Sequence, residues 1–225
     1  MCTIDIWHIS FNHSIQNLKD ALSIDELLVA NRFLKEHDKL SYIITHAYLR
    51  KILSHYFPNI KPNEWEFKKN AFGKPYVLTN LSEKIYFNLS RCSHSAYIIF
   101  TPFIMCGIDV EEIKPIDLTQ DTLNLVLSKP EQKNFKASKS LDLFYTYWTL
   151  KEAHLKALGK GLYISPETIT FDAYIFYEKP YFTFSTHNKH YWVYSLNNTI
   201  LACAILNTKN IYKAPTFYDV MNFDF

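Results

Sequence analysis

The N-terminal half of the chain shows two hydrophobic patterns, first a strand period and then a helical one. Residues 3–8 alternate at the period of two that is typical of a strand. Ser23 and Glu26 have the spacing of a capped helix start, and residues 39–56 carry apolar side chains at helical spacing, so two helices are predicted. Short strands are predicted next, at residues 65–67, 84–89, 96–100 and 105–111.

The C-terminal half repeats this order loosely. Residues 118–135 form an amphipathic segment and residues 141–158 a long helix, and aromatic-rich strands are predicted at residues 168–176, 181–185, 191–195 and 200–205. Helices followed by antiparallel-looking strands, found twice, predict an α+β fold with two similar halves. The best boundary lies at residues 101–103, which gives halves of residues 1–103 and 104–225. Residues 209–225 are expected to pack on the surface.

Composition and charge narrow the class of protein. The 225 residues are 48% hydrophobic, enough for a sizeable core, and a net charge of +2 gives no global field for wrapping DNA or adsorbing to a membrane. No apolar run approaches the roughly 20 residues that span a bilayer, and no targeting signal is visible. The four cysteines lack a C-x-x-C pair, which argues against zinc and against a disulfide framework. We therefore expect free thiols in a reducing cytoplasm.

The four glycines fall in three short segments, which also hold most of the polar residues suited to chemistry. In residues 106–111, strand geometry turns Ile108 and Val110 to the core and places Asp109 and Glu111 on the other face, about 6 to 7 Å apart. Adjacent carboxylates repel unless they are solvated or share a hard cation such as Mg²⁺. The segment alone leaves two interpretations, a magnesium site or an edge strand with an acidic solvent face.

Another glycine segment follows the helix predicted at residues 141–158. Gly159 lies where a left-handed residue ends a helix, and Glu152 and Lys156, four residues apart, share one helix face. The pair could be an ordinary surface ion pair, but a purely structural helix does not need the basic turn at residues 159–162. Glu152 is therefore a candidate metal ligand or general base, and Lys156 a candidate for neutralising a reacting phosphate.

Two further segments suit an anionic ligand. Gly73, Lys74 and Pro75 predict a stiff loop that presents an ammonium group. Ser90 and Arg91 place a hydroxyl and a guanidinium at the end of a strand. Each segment is weak evidence when it is taken separately.

Four segments carry more information when they are taken in order. They are Phe72-Gly73-Lys74-Pro75, Phe87-Asn88-Leu89-Ser90, Gly107-Ile108-Asp109-Val110-Glu111, and the run W-x-x-K-E-x-x-x-K-x-x-G-x-G-L from Trp148 to Leu162. This set resembles the signature of the Sfp-type 4′-phosphopantetheinyl transferases, the holo-carrier-protein synthases, over roughly residues 30–165. The resemblance implies two α+β halves, each a small antiparallel sheet packed with a long helix. A pseudo-twofold axis would relate the halves, and coenzyme A would bind in the cleft between them.

The resemblance also implies an activity and its residues. The activity is transfer of 4′-phosphopantetheine from coenzyme A to a serine of an acyl or peptidyl carrier protein, with release of adenosine 3′,5′-bisphosphate. Mg²⁺ would be held by Asp109, Glu111 and Glu152, and catalysis assigned to Glu152, Lys156 and Glu131. The implied coenzyme A contacts are Lys74, Pro75, Ser90, Arg91, Lys114, Lys151, Lys156 and Gly159.

Two positions depart from the family pattern. Arg91 stands where the family usually has histidine, and an alternative alignment would use Ser93 and His94. An arginine can still grip a phosphate, so we expect Arg91 to substitute. Ser41 stands where the family often has a basic residue for the 3′-phosphate of coenzyme A, which leaves that contact open.

Partners and alternatives follow from the same residues. We expect a cytoplasmic monomer without nucleic-acid or membrane partners, with a docking patch for an acidic carrier protein at residues 118–135. The carrier could serve fatty-acid, polyketide or siderophore synthesis. One alternative is a Mg²⁺-dependent phosphohydrolase that uses the same carboxylates. Another is a non-catalytic binder of coenzyme A or carrier protein, against which the presence of Glu152 and Lys156 argues.

Overall fold

The fold was obtained as a computed structural model, which describes residues 3–12, 17–78, 80–81, 83–174, 177–208 and 213–225. Its helices are α1 (Ile24–Ala30), α2 (Glu36–Tyr56), α3 (Gln120–Val126), α4 (Lys129–Ser138) and α5 (Leu141–Leu158). Its strands are β1 (Asp5–Ser10), β2 (Phe67–Lys69), β3 (Pro75–Val77), β4 (Tyr86–Arg91), β5 (Ser95–Thr101), β6 (Cys106–Glu112), β7 (Tyr181–Thr186), β8 (Lys189–Leu196), β9 (Thr199–Ile205) and β10 (Thr216–Asp219). The predicted α+β class is confirmed.

The N-terminal sheet has the strand order β10-β1-β5-β4. Strand β5 is antiparallel to both neighbours, whereas β10 runs parallel to β1, with Asp5 opposite Thr216. Helix α2 belongs to the core of this half, in which Ile44 and Ala47 cluster with Trp7 and Ile9 of β1. The long apolar face of α2 therefore has its partner in the sheet.

Helix α1 begins at the capping box that the sequence predicts. The Ser23 amide donates to Glu26 Oε2 at 3.0 Å, and the Glu26 amide donates to Ser23 Oγ at 3.3 Å. The same Glu26 carboxylate accepts from Arg50 Nε at 2.7 Å, which ties α1 to α2. Burial raises the pKa of Glu26, but hydrogen bonds from His46 and the Ser23 amide outweigh it and lower the pKa to about 2.

The C-terminal sheet has the order β6-β9-β8-β7 and is antiparallel throughout. Helix α5 packs on it, with Leu150 and Ala153 in one apolar cluster with Ala202 and Ala204 of β9. Strand β1 pairs with β5, and strand β6 pairs with β9. In each case a long helix lies between the two strands in the chain. This shared order supports two similar halves, while the pseudo-twofold axis and the boundary at residue 103 stay predictions.

A third apolar cluster joins the two sheets. It contains Ile4, Ile6, Tyr97, Ile99, Cys106, Ile108, Val110, Trp192, Leu201, Cys203 and Ile205. Strand β1 is therefore buried on both faces, because Trp7 faces the cluster of α2 while Ile6 faces the other sheet. The strands that carry the candidate site are thus held from both sides.

Two predicted elements in the C-terminal half differ from the structure. The strand expected at residues 168–176 does not form over residues 169–174, where the Phe171 amide donates to Glu131 Oε1 at 2.8 Å instead of to another strand. Residues 175–176 lie outside the described part. The segment 118–135 divides into α3 and α4, because Pro130 starts a new helix and its capping Glu131 accepts from the Ser128 amide.

The C-terminal residues also differ from the prediction. Residues 216–219, expected on the surface, form strand β10, and Val220 belongs to the N-terminal core. No helix in the described ranges combines the length and the apolar composition needed to cross a bilayer.

Candidate active site

Strand β6 and helix α5 approach each other closely at Gly107. A Cβ at this position would lie 2.5 Å from the amide nitrogen of Ala157, far inside ordinary contact. Glycine permits the approach because it has no side chain to separate strand and helix. Asp109 follows on the strand, and Glu152 and Lys156 lie on the same stretch of helix, so this contact sets their separation.

Asp109, Lys156 and Ser90 form a closed hydrogen-bonded triangle. Lys156 Nζ donates to Asp109 Oδ1 at 2.6 Å and to Ser90 Oγ at 2.9 Å. Ser90 Oγ in turn donates to Asp109 Oδ1 at 2.8 Å. The Asp109 side chain is 5% exposed and the Lys156 side chain 28%, so the carboxylate is enclosed and the ammonium reaches the surface.

Other carboxylate oxygens at the site are buried without a partner. Within the described residues, neither Asp109 Oδ2 nor Glu152 Oε1 has a hydrogen-bond donor. Burial raises the pKa of Glu152, and the charge of Asp109 raises it further. Burial and Asp109 also raise the pKa of Glu111, which accepts a hydrogen bond from Trp148 Nε1 at 2.8 Å. Glu111 and Glu152 are therefore harder to ionise than ordinary carboxylic acids, because burial and the neighbouring Asp109 disfavour their charged forms.

This donor set fits a hard divalent cation. A buried oxygen without a donor costs free energy, and a cation that prefers oxygen ligands supplies the missing partner. Asp109, Glu111 and Glu152 do not lie close enough together to share one ion as they stand. Among the described residues, the three Cys, His, Asp or Glu side chains whose ligand atoms lie within 4.8 Å of one another are a different set. Like charges repel and Asp109 is held by Lys156, so side chains would have to move for the three acids to share one ion.

A cavity of about 1020 Å³ adjoins the site at Lys156, and none of the three acids is part of its wall. It lies at the upper end of the range for small-molecule sites, about 300 to 1,000 Å³. Its wall includes four of the candidate residues, Lys74, Pro75, Lys156 and Gly159. Because Lys156 belongs both to this wall and to the triangle with Asp109, it connects the cavity with the carboxylates.

The Lys74 loop and the end of α5 form one wall. Asn70 joins them, because its Oδ1 accepts from the Lys74 amide at 2.9 Å and its Nδ2 donates to the Gly159 carbonyl at 2.8 Å. Lys74 Nζ donates to the carbonyl of Cys106 at 2.7 Å, and burial lowers its pKa. Gly159 has φ +67°, and a Cβ there would lie 3.1 Å from Lys74 Cδ, so both backbone and space favour glycine.

The structure corrects the roles expected for Glu131 and Lys151. Both side chains are 0% exposed and pair at 2.6 Å. Lys151 Nζ also donates to the carbonyls of Pro166 and Ile169, at 2.9 and 2.6 Å. Since their polar atoms are used inside the fold, neither residue can contact a substrate. The pair instead holds the segment after Pro166 against α5.

The remaining candidates lie around the end of β4. Arg91 is exposed as the last residue of that strand. Lys114 is 61% exposed and pairs with Glu112 Oε2 at 2.7 Å, and His94 Nδ1 lies 3.2 Å from Glu112 Oε1. Ser41 is buried, and its hydroxyl donates to the Asp38 carbonyl within α2 at 2.9 Å.

Two residues contribute to the site in ways that the motifs do not indicate. Asn88 Oδ1 accepts from the Ile108 amide at 2.9 Å and ties β4 to β6. Asn88 and Ser90 are two residues apart in one strand, so strand periodicity could have placed both on the face that meets β6. The apolar pattern of α5 accounts for Trp148 as a core residue, but a buried indole N–H also needs an acceptor, which here is Glu111.

Comparisons with known proteins agree with this geometry. Residues 105–205, which hold Asp109, Glu111, Glu152 and Lys156, match the family model of the 4′-phosphopantetheinyl transferase superfamily. The chain is 30% identical over 169 residues to the 4′-phosphopantetheinyl transferase HetI of Nostoc sp., a match that covers 71% of this chain and 70% of that protein.

Two further relatives match over shorter segments. The 4′-phosphopantetheinyl transferase gsp of Aneurinibacillus migulanus is 28% identical over 153 residues, covering 68% of this chain and 62% of the relative. The 4′-phosphopantetheinyl transferase Sfp of Bacillus subtilis is 29% identical over 136 residues, covering 58% and 57%. Less than two thirds of each of these two relatives is therefore matched. The resemblance seen in the motifs is confirmed, and the chain belongs to the 4′-phosphopantetheinyl transferase superfamily as an enzyme of that family.

Proposed function

We propose that this protein transfers 4′-phosphopantetheine from coenzyme A to a serine of an acyl or peptidyl carrier protein and releases adenosine 3′,5′-bisphosphate. The serine oxygen would bond to the phosphorus that carries pantetheine while the bridging P–O bond breaks. The observation that carries the proposal is the pairing of Asp109 with Lys156, which has Glu152 near enough for Asp109 to raise its pKa and which joins a cavity of about 1020 Å³ through Lys156. Family membership supports the same reaction class.

Asp109, Glu111 and Glu152 would hold Mg²⁺. The buried oxygens of Asp109 and Glu152 that have no donor within the described residues support this assignment. When bound, the ion supplies positive charge to the diphosphate oxygens. The hydrogen bond from Trp148 would keep the Glu111 carboxylate in a fixed orientation.

Lys156 and Glu152 would act on the two reacting groups. The Lys156 ammonium lines the cavity and reaches Asp109, so a diphosphate in the cavity would meet it and its charge would offset the phosphate under attack. Glu152 would take the serine proton, either directly or through a water. Burial raises its pKa, and a carboxylate with a raised pKa is a stronger base than an ordinary one.

Coenzyme A would occupy the cavity between the Lys74 loop and α2. Lys74, Pro75 and Gly159 form the wall nearest the acids. Lys68 and Lys69 of β2 also line the cavity and offer positive charge for the 3′-phosphate, which Ser41 lacks. Ser90, Arg91 and Lys114 would lie toward the diphosphate. The monomeric state, the docking patch at residues 118–135 and the cytoplasmic location stay predictions.

The test is mass spectrometry of an apo carrier protein incubated with this enzyme, coenzyme A and Mg²⁺. We expect the mass gain of phosphopantetheine, and a loss of about 100-fold or more in rate for Glu152→Gln. Glu178→Gln, an exposed acid outside the cavity wall, is the control and should transfer at the wild-type rate. Release of adenosine 3′,5′-bisphosphate without a carrier, at the same rate as with one, would instead support the phosphohydrolase.

A further inference from the structure

Three side chains of different chemistry meet at the turn between β4 and β5. Cys92 and His94 belong to this turn, and Glu112 is the last residue of β6. One ligand atom of each side chain lies within 4.8 Å of the ligand atoms of the other two. Among the described residues, this is the group of three possible metal ligands that meets this limit. The group does not include Asp109 or Glu152, although Glu112 directly follows Glu111.

The spacing of these atoms suits a small tetrahedral ion. Zn²⁺ binds sulfur at about 2.3 Å and nitrogen or oxygen at about 2.0 Å, so tetrahedral ligand atoms lie about 3.3 to 3.5 Å apart. His94 Nδ1 lies 3.2 Å from Glu112 Oε1, and Cys92 Sγ lies 4.0 Å from either ring nitrogen of His94. The Cys92 thiol must approach His94 by about 0.5 Å to reach tetrahedral spacing.

The carboxylate is already oriented, and the site is open. The Ser93 amide donates to Glu112 Oε1 at 2.6 Å, and Ser93 Oγ bonds to the same oxygen, as the outer hydrogen bonds of metal ligands do. His94 is 64% exposed. Lys114, which pairs with Glu112 Oε2, is 61% exposed, so its ammonium can move into solvent when an ion arrives.

We propose that Cys92, His94 and Glu112 bind a borderline-soft divalent ion, Zn²⁺ above all, with a fourth position left for water. Binding replaces the S–H bond of Cys92 by a metal–sulfur bond and releases the proton to solvent. Thiolate and imidazole ligands select Zn²⁺, whereas Mg²⁺ prefers oxygen, so this site and the carboxylate cluster take different ions.

An ion at this site would join the two sheets. Cys92 and His94 extend from the N-terminal sheet, and Glu112 ends the first strand of the C-terminal sheet. Ser90 and Arg91 immediately precede Cys92, so the linked strand ends are the ones that carry candidate active-site residues. The bound ion should therefore stabilise the contact between the two halves, because its ligands come from both sheets.

The test uses Co²⁺ as the probe, because its bond to a thiolate gives a charge-transfer band. We expect the reduced full-length protein, titrated in excess Mg²⁺, to show a band that saturates at one equivalent and disappears on addition of Zn²⁺. Cys92→Ser should lose the band, and His94→Gln should weaken Co²⁺ binding at least tenfold. Cys2→Ser, at a cysteine outside the described residues, and Glu152→Gln are controls that should keep the band.

Three outcomes would overturn the proposal. They are the absence of a thiolate band in the wild type, a band of equal strength in Cys92→Ser, and loss of the band in Cys2→Ser. The unfolding temperature gives a second readout, which Zn²⁺ should raise in the wild type and leave unchanged in His94→Gln. Equal increases in both proteins would also contradict the site.

Discussion

One added methyl group at residue 107 should disturb both the stability and the activity of this enzyme. Gly107→Ala would place a Cβ 2.5 Å from the amide nitrogen of Ala157, and nearer still to the carbonyl oxygen of Ala153. Ordinary contact begins at 3.4 Å, so strand β6 and helix α5 must separate by more than about 1 Å. Both atoms belong to the helix backbone, so no rotation of a side chain can relieve the clash.

The size of the effect follows from that separation. Overpacking of this kind costs about 1 to 3 kcal/mol of unfolding free energy. Glu152 and Lys156 move with the helix while Asp109 moves with the strand, so the 2.6 Å bond between Lys156 and Asp109 lengthens. A misplacement of about 1 Å in a catalytic constellation reduces the rate about 100-fold.

Urea denaturation and phosphopantetheine transfer to a carrier protein measure the two effects. Gly73→Ala is a comparison for the cause of the loss, because a Cβ there meets nothing within 4 Å and the substitution adds backbone strain at φ +91° but no clash. That strain is worth about 1 to 2 kcal/mol. If Gly107→Ala changed the unfolding free energy by less than about 0.5 kcal/mol and kept the transfer rate within about twofold, the close approach of strand and helix would be refuted.

Further predictions concern the buried Glu131–Lys151 pair and two residues of α5, Trp148 and His154. Lys151→Met leaves Glu131 without its partner and should lower the unfolding free energy by about 3 to 5 kcal/mol in urea denaturation; a loss below about 1 kcal/mol would contradict the structural role. Trp148→Phe removes the donor to Glu111 and should raise the Mg²⁺ concentration for half-maximal transfer about 10-fold, whereas an unchanged requirement would argue against Glu111 as a ligand. Burial, aided by the charge of Lys189, lowers the pKa of His154 from 6.5 to about 4, so its contribution to stability is present above pH 6.5 and is lost as the pH falls toward 4. His154→Gln should flatten the decline of the urea midpoint over that interval, and an equally steep decline in the variant would show that other groups cause it.

The sequence predicted correctly those elements whose own residues specify them, and it missed those that depend on contacts remote in the chain. The bounds of α5 agree with the prediction because apolar residues recur at helical spacing from Leu141 to Leu158, with Lys151 the exception, and Gly159 ends the helix in the left-handed conformation. Strand β10 has no comparable signal, since four residues pair with β1 only through a contact that is remote in sequence. The strand expected at residues 168–176 has suitable residues, but the buried Glu131 carboxylate takes the Phe171 amide.

The candidate site was predictable to the extent that its residues lie in contiguous motifs. Asp109, Glu152 and Lys156 stand in such motifs; the structure pairs Asp109 with Lys156, and Lys156 also lines the cavity. The expectation for Lys151 was wrong because adjacent residues of a helix point about 100° apart, which turns Lys151 into the core when Glu152 faces the acids. The trio of Cys92, His94 and Glu112 spans two sheets, so no spacing rule for zinc ligands could find it.

The parallel pairing of β10 with β1 means that the N-terminal sheet cannot be completed until synthesis of the chain has passed β10. His8 and Asp219, whose side chains meet at 2.8 Å, are 211 positions apart in the chain. At a synthesis rate of about 5 to 20 residues per second, β1 waits roughly 10 to 40 s for that neighbour. Throughout this interval one side of β1 offers unpaired N–H and C=O groups to other nascent chains. Slower translation would prolong the exposure, so the yield of native enzyme should depend on how quickly the codons up to β10 are read.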